Sequence, residues 1–381
     1  MTGIGNSIYL ICQNGAEAAL KREVARAHPE LKFAFSRPGF VTFKSERSLP
    51  PEFAPDLVLA RAFGLSLGKT REAPTSATFV DALRSELARL ATVPEIADEA
   101  IAGHRLHLHV WERDFFEPDA PTPAGFDPFR APREIEERLR VAIPFASGAP
   151  KNDDLVLDVI RVEESEIWFG IHRHTPLHPS FAGGRFAGSL PEAAPSRAYL
   201  KLEEAIALYQ IPMRAGEIAV EIGSAPGGAS YSLVERGLQV LGIDPGAMDP
   251  TFVERAGSRF EHLRKSVVAV ERDELPERFE WLLLDMNVAP ETAFLTLDEW
   301  LPALIGEKEG TLKGVVLTIK LNDWRLADEI PMYLERLRAA GLTRLRARQL
   351  SSNKREFCVY GVTRAALKLA PFRVHKAQPG T

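Results

Sequence analysis

Residues 218–228 read IAVEIGSAPGG, an apolar run that passes directly into a glycine-rich turn. Helical patterns flank this stretch, at 197–209 before it and from about 229 to 237 after it. Glycines without a Cβ let the backbone bend tightly and let a ligand approach closely. The stretch therefore predicts the first strand, the ligand-facing turn and the first helix of an α/β sheet. Its spacing differs from the GxGxxG pattern of dinucleotide dehydrogenases.

The alternation of apolar strands and helices continues through the rest of the chain. Strands are predicted at 240–243, 281–285 and 315–320, with helices at about 292–305 and 327–340. This rhythm predicts a doubly wound, mostly parallel sheet. Two further strands, 342–350 and 356–363, are separated by a short polar turn, which predicts an antiparallel hairpin at one edge.

The half of the chain before residue 190 has a different, α+β character. A small α+β domain is predicted over 1–65, a mixed domain over 66–182, and a Pro- and Gly-rich linker over 183–195. The α/β domain then occupies 196–381. Only Cys12 and Cys358 are present, so neither a disulfide framework nor a paired-cysteine metal site is expected. Because no leader or membrane-spanning stretch is found, we expect a soluble, cytoplasmic protein.

Charge is distributed unevenly along the chain. The formal net charge is −5, which excludes a uniformly basic coat for nucleic acid. Between residues 336 and 376, however, eleven Lys or Arg accompany a single acid, Glu356. Period-two alternation would put Arg344, Arg346 and Arg348 on one face of a strand. This predicts a local patch for phosphates, with expected contacts from Arg197, Arg344, Arg346, Arg348, Lys354 and Arg355.

Histidines and tryptophans offer weaker signals. A cluster of histidines makes a metal site conceivable, but no cysteine or paired acid completes it, so we expect no metal. We expect the tryptophans to belong to the core instead of forming platforms for bases. The residues concerned are His107, His109, His172, His174 and His178, and Trp111, Trp168 and Trp281.

Acidic and basic residues at the ends of predicted elements carry the chemistry. Asp244 stands sixteen residues after Gly228, where an acid in a doubly wound fold accepts hydrogen bonds from ribose hydroxyls, which points to an adenosine-containing cofactor. Four more ionisable groups should converge at the same edge of the sheet, and a lysine whose pKa is lowered by burial and by a second lysine can act as a base toward a weakly acidic hydroxyl. They are Lys201, Asp285, Lys320 and Glu356.

These positions resemble those of a known family. GSAPGG at 223–228, with Lys201, Asp285, Lys320 and Glu356, is similar to the FtsJ-type ribose 2′-O-methyltransferases. More closely, the stretches at 194–205, 319–321 and 347–350 resemble the RlmM family, which methylates a cytidine in 23S ribosomal RNA. The resemblance implies a Rossmann-like methyltransferase domain preceded by α+β domains that include an RNA-binding THUMP domain.

The resemblance also implies roles for individual residues. Lys320 would accept the proton of the 2′-hydroxyl, Asp285 would tune it, and Lys201 and Glu356 would orient the nucleotide. S-adenosylmethionine is the implied cofactor and RNA the implied partner. The residues implied to contact the cofactor are Glu221, Gly223, Ser224, Ala225, Pro226, Gly227, Gly228, Asp244, Ser266 and Asp285.

The chain departs from the family pattern around the cofactor loop. Ala225 replaces a usual Cys, Ala229 a usual Trp, and Ser266 stands where an acid is expected. Residues 243–246 read Ile-Asp-Pro-Gly in place of an Asp-Asn-Gly pattern. Three alternatives therefore stay open: a non-catalytic RNA-binding protein on a methyltransferase-like scaffold, a methyltransferase with a different RNA target, and a small-molecule O-methyltransferase.

Overall fold

A computed structural model of the chain describes residues 4–73, 76–93, 96, 105–116, 123, 125–306, 311–364 and 366. The chain forms two compact units. The first comprises Met1–Ala187 together with Arg348–Arg355, and the second comprises Gly188–Ala347 together with Glu356–Thr381. The change from the first unit to the second lies inside the stretch predicted as a linker.

The first unit contains a seven-stranded sheet with the order β2-β3-β1-β4-β7-β6-β5 among the described residues. Its strands are β1 (Gly5–Ile11), β2 (Leu31–Arg37), β3 (Phe40–Leu49), β4 (Ala62–Thr70), β5 (Leu106–Glu112), β6 (Leu155–Glu163) and β7 (Glu166–Arg173). Its helices are α1 (Glu17–Ala27), α2 (Ala77–Leu90) and α3 (Arg130–Ala142). The division predicted near residue 65 falls within β4, which pairs with β1 on one side and with β7 on the other.

The second unit contains a seven-stranded sheet with the order β10-β9-β8-β11-β12-β14-β13 in the described part of the chain. Its strands are β8 (Ile218–Ile222), β9 (Gln239–Ile243), β10 (Phe260–Leu263), β11 (Trp281–Leu284), β12 (Gly314–Lys320), β13 (Thr343–Arg348) and β14 (Glu356–Val362). Its helices are α4 (Ala198–Tyr209), α5 (Gly228–Glu235), α6 (Pro250–Ala256), α7 (Pro290–Gly306) and α8 (Ile330–Ala339).

The pairing of these strands confirms the predicted α/β fold class. The neighbours from β10 to β12 are all parallel, and β14 joins β12 antiparallel. Strands β8, β11 and β12 are nearly continuous apolar runs that are buried along their length, as expected when helices cover both faces of a sheet. The chain winds outward in both directions from β8 and β11, so the switch point where such folds bind ligands lies at their carboxyl ends.

No helix within the described ranges is long and apolar enough to cross a membrane.

Candidate active site

The four ionisable residues predicted to converge do meet, at the carboxyl edge of the second sheet. Lys201 projects from α4, Asp285 directly follows β11, and Lys320 ends β12. The antiparallel pairing of β12 with β14 places Glu356 directly opposite Lys320. The fold therefore brings together residues that are separated by up to 155 positions in the sequence (356 − 201).

The four side chains alternate in charge around a closed ring. Lys201 Nζ lies 3.0 Å from Asp285 Oδ2 and 2.7 Å from Glu356 Oε1. Lys320 Nζ lies 3.1 Å from Asp285 Oδ1 and contacts Glu356 Oε2 as well. Each ammonium thus bridges both carboxylates. The exposed fraction of the side chain is 18% for Lys201 and Asp285, 15% for Lys320 and 3% for Glu356, so one side of the ring remains accessible.

The contacts within the ring favour the charged forms of Lys320 and Glu356. Burial alone would lower the pKa of Lys320, but the carboxylates of Asp285 and Glu356 outweigh burial and raise that pKa above its ordinary value. Burial alone would likewise raise the pKa of Glu356, yet Lys201 and Lys320 lower it. The expectation that Lys320 has a lowered pKa is therefore wrong, because two carboxylates face it and stabilise its ammonium form.

The glycine-rich loop packs tightly against the ring. Gly223 has a φ of +84°, and a Cβ on it would lie 2.5 Å from the carbonyl oxygen of Asp285. A Cβ on Gly228 would lie 2.2 Å from Ser196 Oγ, just before α4. The loop between them includes a cis peptide bond from Ala225 to Pro226. Glycine at 223 is therefore required both for backbone conformation and for close approach to Asp285.

Asp244 accepts hydrogen bonds from the glycine-rich loop and from the loop that follows β9. Its Oδ2 accepts a hydrogen bond from the Ala225 N–H at 3.2 Å, and its Oδ1 accepts one from the Gly246 N–H at 2.6 Å. The predicted ribose acceptor therefore stands beside the glycine-rich loop. Ser224 is buried, whereas Ser266 is exposed and follows β10, two strands away from β8 in the sheet.

Glu221, in β8, is buried and accepts a hydrogen bond from Ser230 Oγ. Burial raises the pKa of Glu221 to about 8, and the hydrogen bond from Ser230 offsets only part of the effect. Glu221, Lys201 and Asp285 line a cavity of about 20 Å³, which has room for one water molecule. Glu221 is therefore a neutral acid at pH 7, unlike Glu356, whose pKa is lowered.

Because Glu221 has a raised pKa, we predict that the folded protein loses stability as pH rises toward 8. Between its unfolded pKa of about 4.3 and about 8, folded Glu221 binds a proton that the unfolded chain has released, so stability falls as pH rises. Glu221→Gln cannot ionise, and we expect its Tm to drop less than the wild-type Tm between pH 6 and pH 9. A difference of at least about 3 °C is expected, since 1 kcal/mol shifts the Tm of a domain this size by about 2–4 °C.

Glu217→Gln is the matched control for the unfolding measurement. Burial would raise the pKa of Glu217, but hydrogen bonds from Lys313 and Trp281 lower it, so this carboxylate is ionised in both states across the same range. Its substitution should change the Tm equally at both pH values. Parallel Tm losses in Glu221→Gln and the wild type would contradict the assignment.

The predicted phosphate contacts do not all lie on one exposed face. Arg197, Arg344, Lys354 and Arg355 are exposed, and the guanidinium of Arg346 lies 5.2 Å from the centre of the Tyr209 ring. Arg348 is only 4% exposed: its Nη1 donates to the Leu177 carbonyl at 2.7 Å, and its guanidinium lies over the Phe63 ring. It belongs to the interior of the first unit, contrary to the alternation argument. Lys368, Arg373 and Lys376 lie outside the described residues.

The other candidate groups are buried. Burial raises the pKa of both cysteine thiols, so neither Cys12 nor Cys358 resembles a nucleophile. His107 and His172 hydrogen-bond to carboxylates at 3.1 and 2.8 Å. In the part of the chain that the structure describes, no group of three or more His, Cys, Asp or Glu residues is arranged to hold a metal ion.

Part of this chain is similar in sequence to known methyltransferases. Residues 194–306 match the family model described as FtsJ-like methyltransferase. Proteins named Ribosomal RNA large subunit methyltransferase M, from Methylococcus capsulatus and Halorhodospira halophila, are 32% identical over 177 and 175 residues. These matches cover 44% and 45% of this chain, and 47% and 48% of the relatives.

The chain thus spans about half the length of the curated relatives it matches. Among solved structures, TrmN from Thermus thermophilus covers 93% of this chain and 99% of its own length, with 15% identity and a TM-score of 0.30. The family match covers α4, which carries Lys201, and part of the second sheet. The other three ring residues, Asp285, Lys320 and Glu356, lie at strand ends of that sheet. Residues 194–306, which lie in the second unit, are therefore similar to FtsJ-like methyltransferases.

Proposed function

We propose that this chain is an S-adenosylmethionine-dependent RNA ribose 2′-O-methyltransferase that acts on a cytidine of 23S ribosomal RNA. The observation that carries the proposal is the closed Lys-Asp-Lys-Glu ring beside a glycine-rich loop at the switch point of the sheet. The names of the relatives favour large-subunit ribosomal RNA as the substrate. From such a substrate we infer a cytoplasmic location.

The residues of the loop fit the proposed cofactor. Gly223 and Gly227 let the loop pack closely on the protein, since a Cβ on Gly223 would lie 2.5 Å from the Asp285 carbonyl oxygen and one on Gly227 would lie 2.6 Å from the Phe252 ring. Asp244 offers carboxylate oxygens for the ribose hydroxyls, in addition to the two backbone N–H groups from which it already accepts hydrogen bonds. S-adenosylmethionine supplies, when bound, an electrophilic methyl group on a positively charged sulfur.

Within the ring, Lys320 would accept the proton of the ribose 2′-hydroxyl. Lys320 Nζ is held between Asp285 and Glu356, and it must lose its own proton before it can accept that of the 2′-hydroxyl. A positive charge arriving near the two carboxylates opposes the ammonium form and so lowers the pKa of Lys320. Lys201, bonded to the same carboxylates, keeps them in place and orients the nucleotide. Fixing the hydroxyl in line with the methyl group would supply much of the rate enhancement.

This role predicts a rate that rises with pH. Because the pKa of Lys320 is raised, only a small fraction of it is unprotonated near neutrality. We expect the single-turnover rate of methyl transfer at saturating cofactor to increase up to about tenfold per pH unit between pH 7 and pH 9. Glu356→Gln removes one carboxylate facing Lys320 and should shift the rise to lower pH. A rate that is independent of pH in this range would contradict proton acceptance by Lys320.

The experiment that tests the function combines cofactor binding with methyl transfer. Calorimetry with S-adenosylmethionine should show binding, and the labelled cofactor should transfer its methyl group to deproteinised total RNA. Absence of binding at millimolar cofactor would favour a non-catalytic scaffold. Transfer to a small acceptor but not to RNA would favour a small-molecule O-methyltransferase. Label in an RNA other than 23S ribosomal RNA would leave the chemistry intact and change the target.

The N-terminal half completes the proposal. We infer that it binds the RNA substrate, with a THUMP domain over 66–182, and that the exposed Arg197, Arg344, Lys354 and Arg355 contact phosphates. Exposure and positive charge support these contacts.

A further inference from the structure

The first unit carries an open groove that is separate from the methyltransferase site. It is a cavity of about 440 Å³ over β1, β2, β3, β4 and β7. That volume falls in the range typical of pockets for small molecules and nucleotides. Small and polar side chains such as Ser7, Thr42 and Ser66 line part of it.

Two aromatic rings form one wall of the groove. The rings of Phe35 and Trp168 are stacked, with centroids 5.5 Å apart and planes 28° apart. The Trp168 indole N–H donates to Glu166 Oε1 at 2.7 Å, which fixes the orientation of the ring, and Phe40 packs 5.1 Å away. Trp168 is only partly buried, unlike Trp111 and Trp281 at 3% and 1% exposure. The expectation that all three tryptophans belong to the core therefore holds only in part for Trp168, which packs against a core cluster that includes Phe40 and Trp111 and also lines the groove.

An irregularity in β2 directs Phe35 into the groove. In a regular strand, residues 33 and 35 would share a face. The register with β3 shifts between them, so Phe33 pairs with Phe43 and Phe35 pairs with Thr42. Phe33 accordingly stacks edge-on against Phe43, while Phe35 meets Trp168. Such bulges commonly re-aim a side chain at a functional surface.

Positive charge accompanies the aromatic wall. Lys69 Nζ lies 4.9 Å from the Phe35 centroid and 5.1 Å from that of Trp168, and the Arg37 guanidinium lies 4.6 Å from the centre of the Phe35 ring. Two lysines, Lys44 and Lys69, and no acid occur among the described residues that line the cavity. The nearest acids lie at its margin, where Glu166 contacts Lys69 at 3.4 Å and Glu163 lies 3.7 Å from Arg37.

We propose that this groove binds single-stranded RNA, with an unpaired base stacked against Phe35 and Trp168 and its flanking phosphates held by Lys44 and Lys69. Stacked aromatic rings bordered by cations are how proteins bind unpaired nucleotides, because every base has a π-face and every linkage a negative charge. Lys69 is 48% exposed and can leave the ring faces for a phosphate when a base arrives. The inference rests on RNA being the substrate, as proposed above, and adds a recognition site for its unpaired segment.

The test measures binding of a fluorescent single-stranded RNA of about 12 nucleotides to the full chain, by anisotropy, beside the same sequence as a duplex. Trp168→Ala should weaken single-strand binding at least fivefold, and Trp168→Phe should restore affinity to within about twofold of the wild type. The double variant Lys44→Ala/Lys69→Ala should reduce the slope of log K against log salt by about 1.4, at about 0.7 for each phosphate that is no longer neutralised.

Phe33→Ala is the matched control, since it removes a 54% exposed phenylalanine from the other face of the same strand. It should bind RNA as the wild type does. The proposal that the groove binds RNA would be overturned if Trp168→Ala bound RNA as the wild type does, or if Phe33→Ala lost as much affinity as Trp168→Ala. Duplex binding with the same sensitivity to Trp168 would overturn the single-strand assignment. If Trp168→Ala fails to fold, the lysine variant decides: an unchanged salt slope overturns the proposal.

Methyl transfer to RNA, measured in parallel, separates the groove from the proposed function. Binding that depends on Trp168 in a protein without transfer would uphold the groove and contradict the enzyme. Methyl transfer by a protein whose RNA binding does not depend on Trp168 would uphold the enzymatic function and contradict the groove.

Discussion

Lys320→Ala is expected to abolish methyl transfer while the affinity for S-adenosylmethionine changes by no more than a few-fold. Lys320 ends β12 and contacts the carboxylates of Asp285 and Glu356, whereas the residues proposed to hold the cofactor lie on the loops after β8 and β9. Loss of a positioned proton acceptor typically costs about 10²–10⁴ in rate. Single-turnover transfer and calorimetry measure the two quantities separately, and loss of both together would assign Lys320 to cofactor binding.

A second substitution at the same position distinguishes a base from a fixed positive charge. Lys320→Arg retains the charge that faces Asp285 and Glu356, but a guanidinium does not give up its proton in proteins. We therefore expect Lys320→Arg to be nearly as inactive as Lys320→Ala. Substantial activity in Lys320→Arg would show that the ammonium charge of Lys320, and not its deprotonated form, is what the reaction needs.

Gly223→Ala is expected to weaken cofactor binding by at least about tenfold, since forcing a methyl group into a packed site typically costs 1–3 kcal/mol. Its Cβ would lie 2.5 Å from the carbonyl oxygen of Asp285 and 2.8 Å from the carbonyl carbon, so backbone has to move. That movement would displace both the glycine-rich loop and Asp285, which carries one carboxylate of the ring. Methyl transfer should therefore fall further than affinity does.

Gly216→Ala controls for the backbone strain alone. Gly216 has a φ of +85°, close to that of Gly223, but a Cβ there would meet nothing within 4 Å. Both variants carry the strain of a left-handed alanine, about 1–3 kcal/mol. Calorimetry should show normal cofactor affinity in Gly216→Ala. Equal affinities in the two variants would mean that the close approach of Gly223 to Asp285 does not shape the cofactor site.

Much of the second unit was predictable because its signals are local and repeated. Buried parallel strands are continuous apolar runs, and their ends reveal which polar residues share an edge. Lys320 and Asp285 could be identified in this way. Their ion pairs could not, since Glu356 reaches Lys320 only through the antiparallel register of β12 with β14. That register reverses the expected direction of the pKa shift of Lys320.

The first unit was less predictable, because its strand registers are irregular. Strands β2 and β4 gave no clear pattern, because Leu31 is the one fully buried residue of β2 and both strands contain register shifts. One of those shifts separates Phe33 from Phe35 and so creates the aromatic wall with Trp168. Likewise, alternation placed Arg348 beside Arg344, but Arg344 has a φ of +47° and Arg348 is buried against Leu177.

The position of the transferred methyl group tests the proposed chemistry most directly. Total RNA labelled by the protein and S-adenosylmethionine would be digested to nucleosides and separated by chromatography with mass detection, and its linkages tested for resistance to alkali. A ring that acts on a ribose hydroxyl predicts label in a 2′-O-methylnucleoside, expected to be 2′-O-methylcytidine, at an alkali-resistant linkage. Label on a base, with alkali sensitivity retained, would contradict the role of Lys201, Asp285, Lys320 and Glu356.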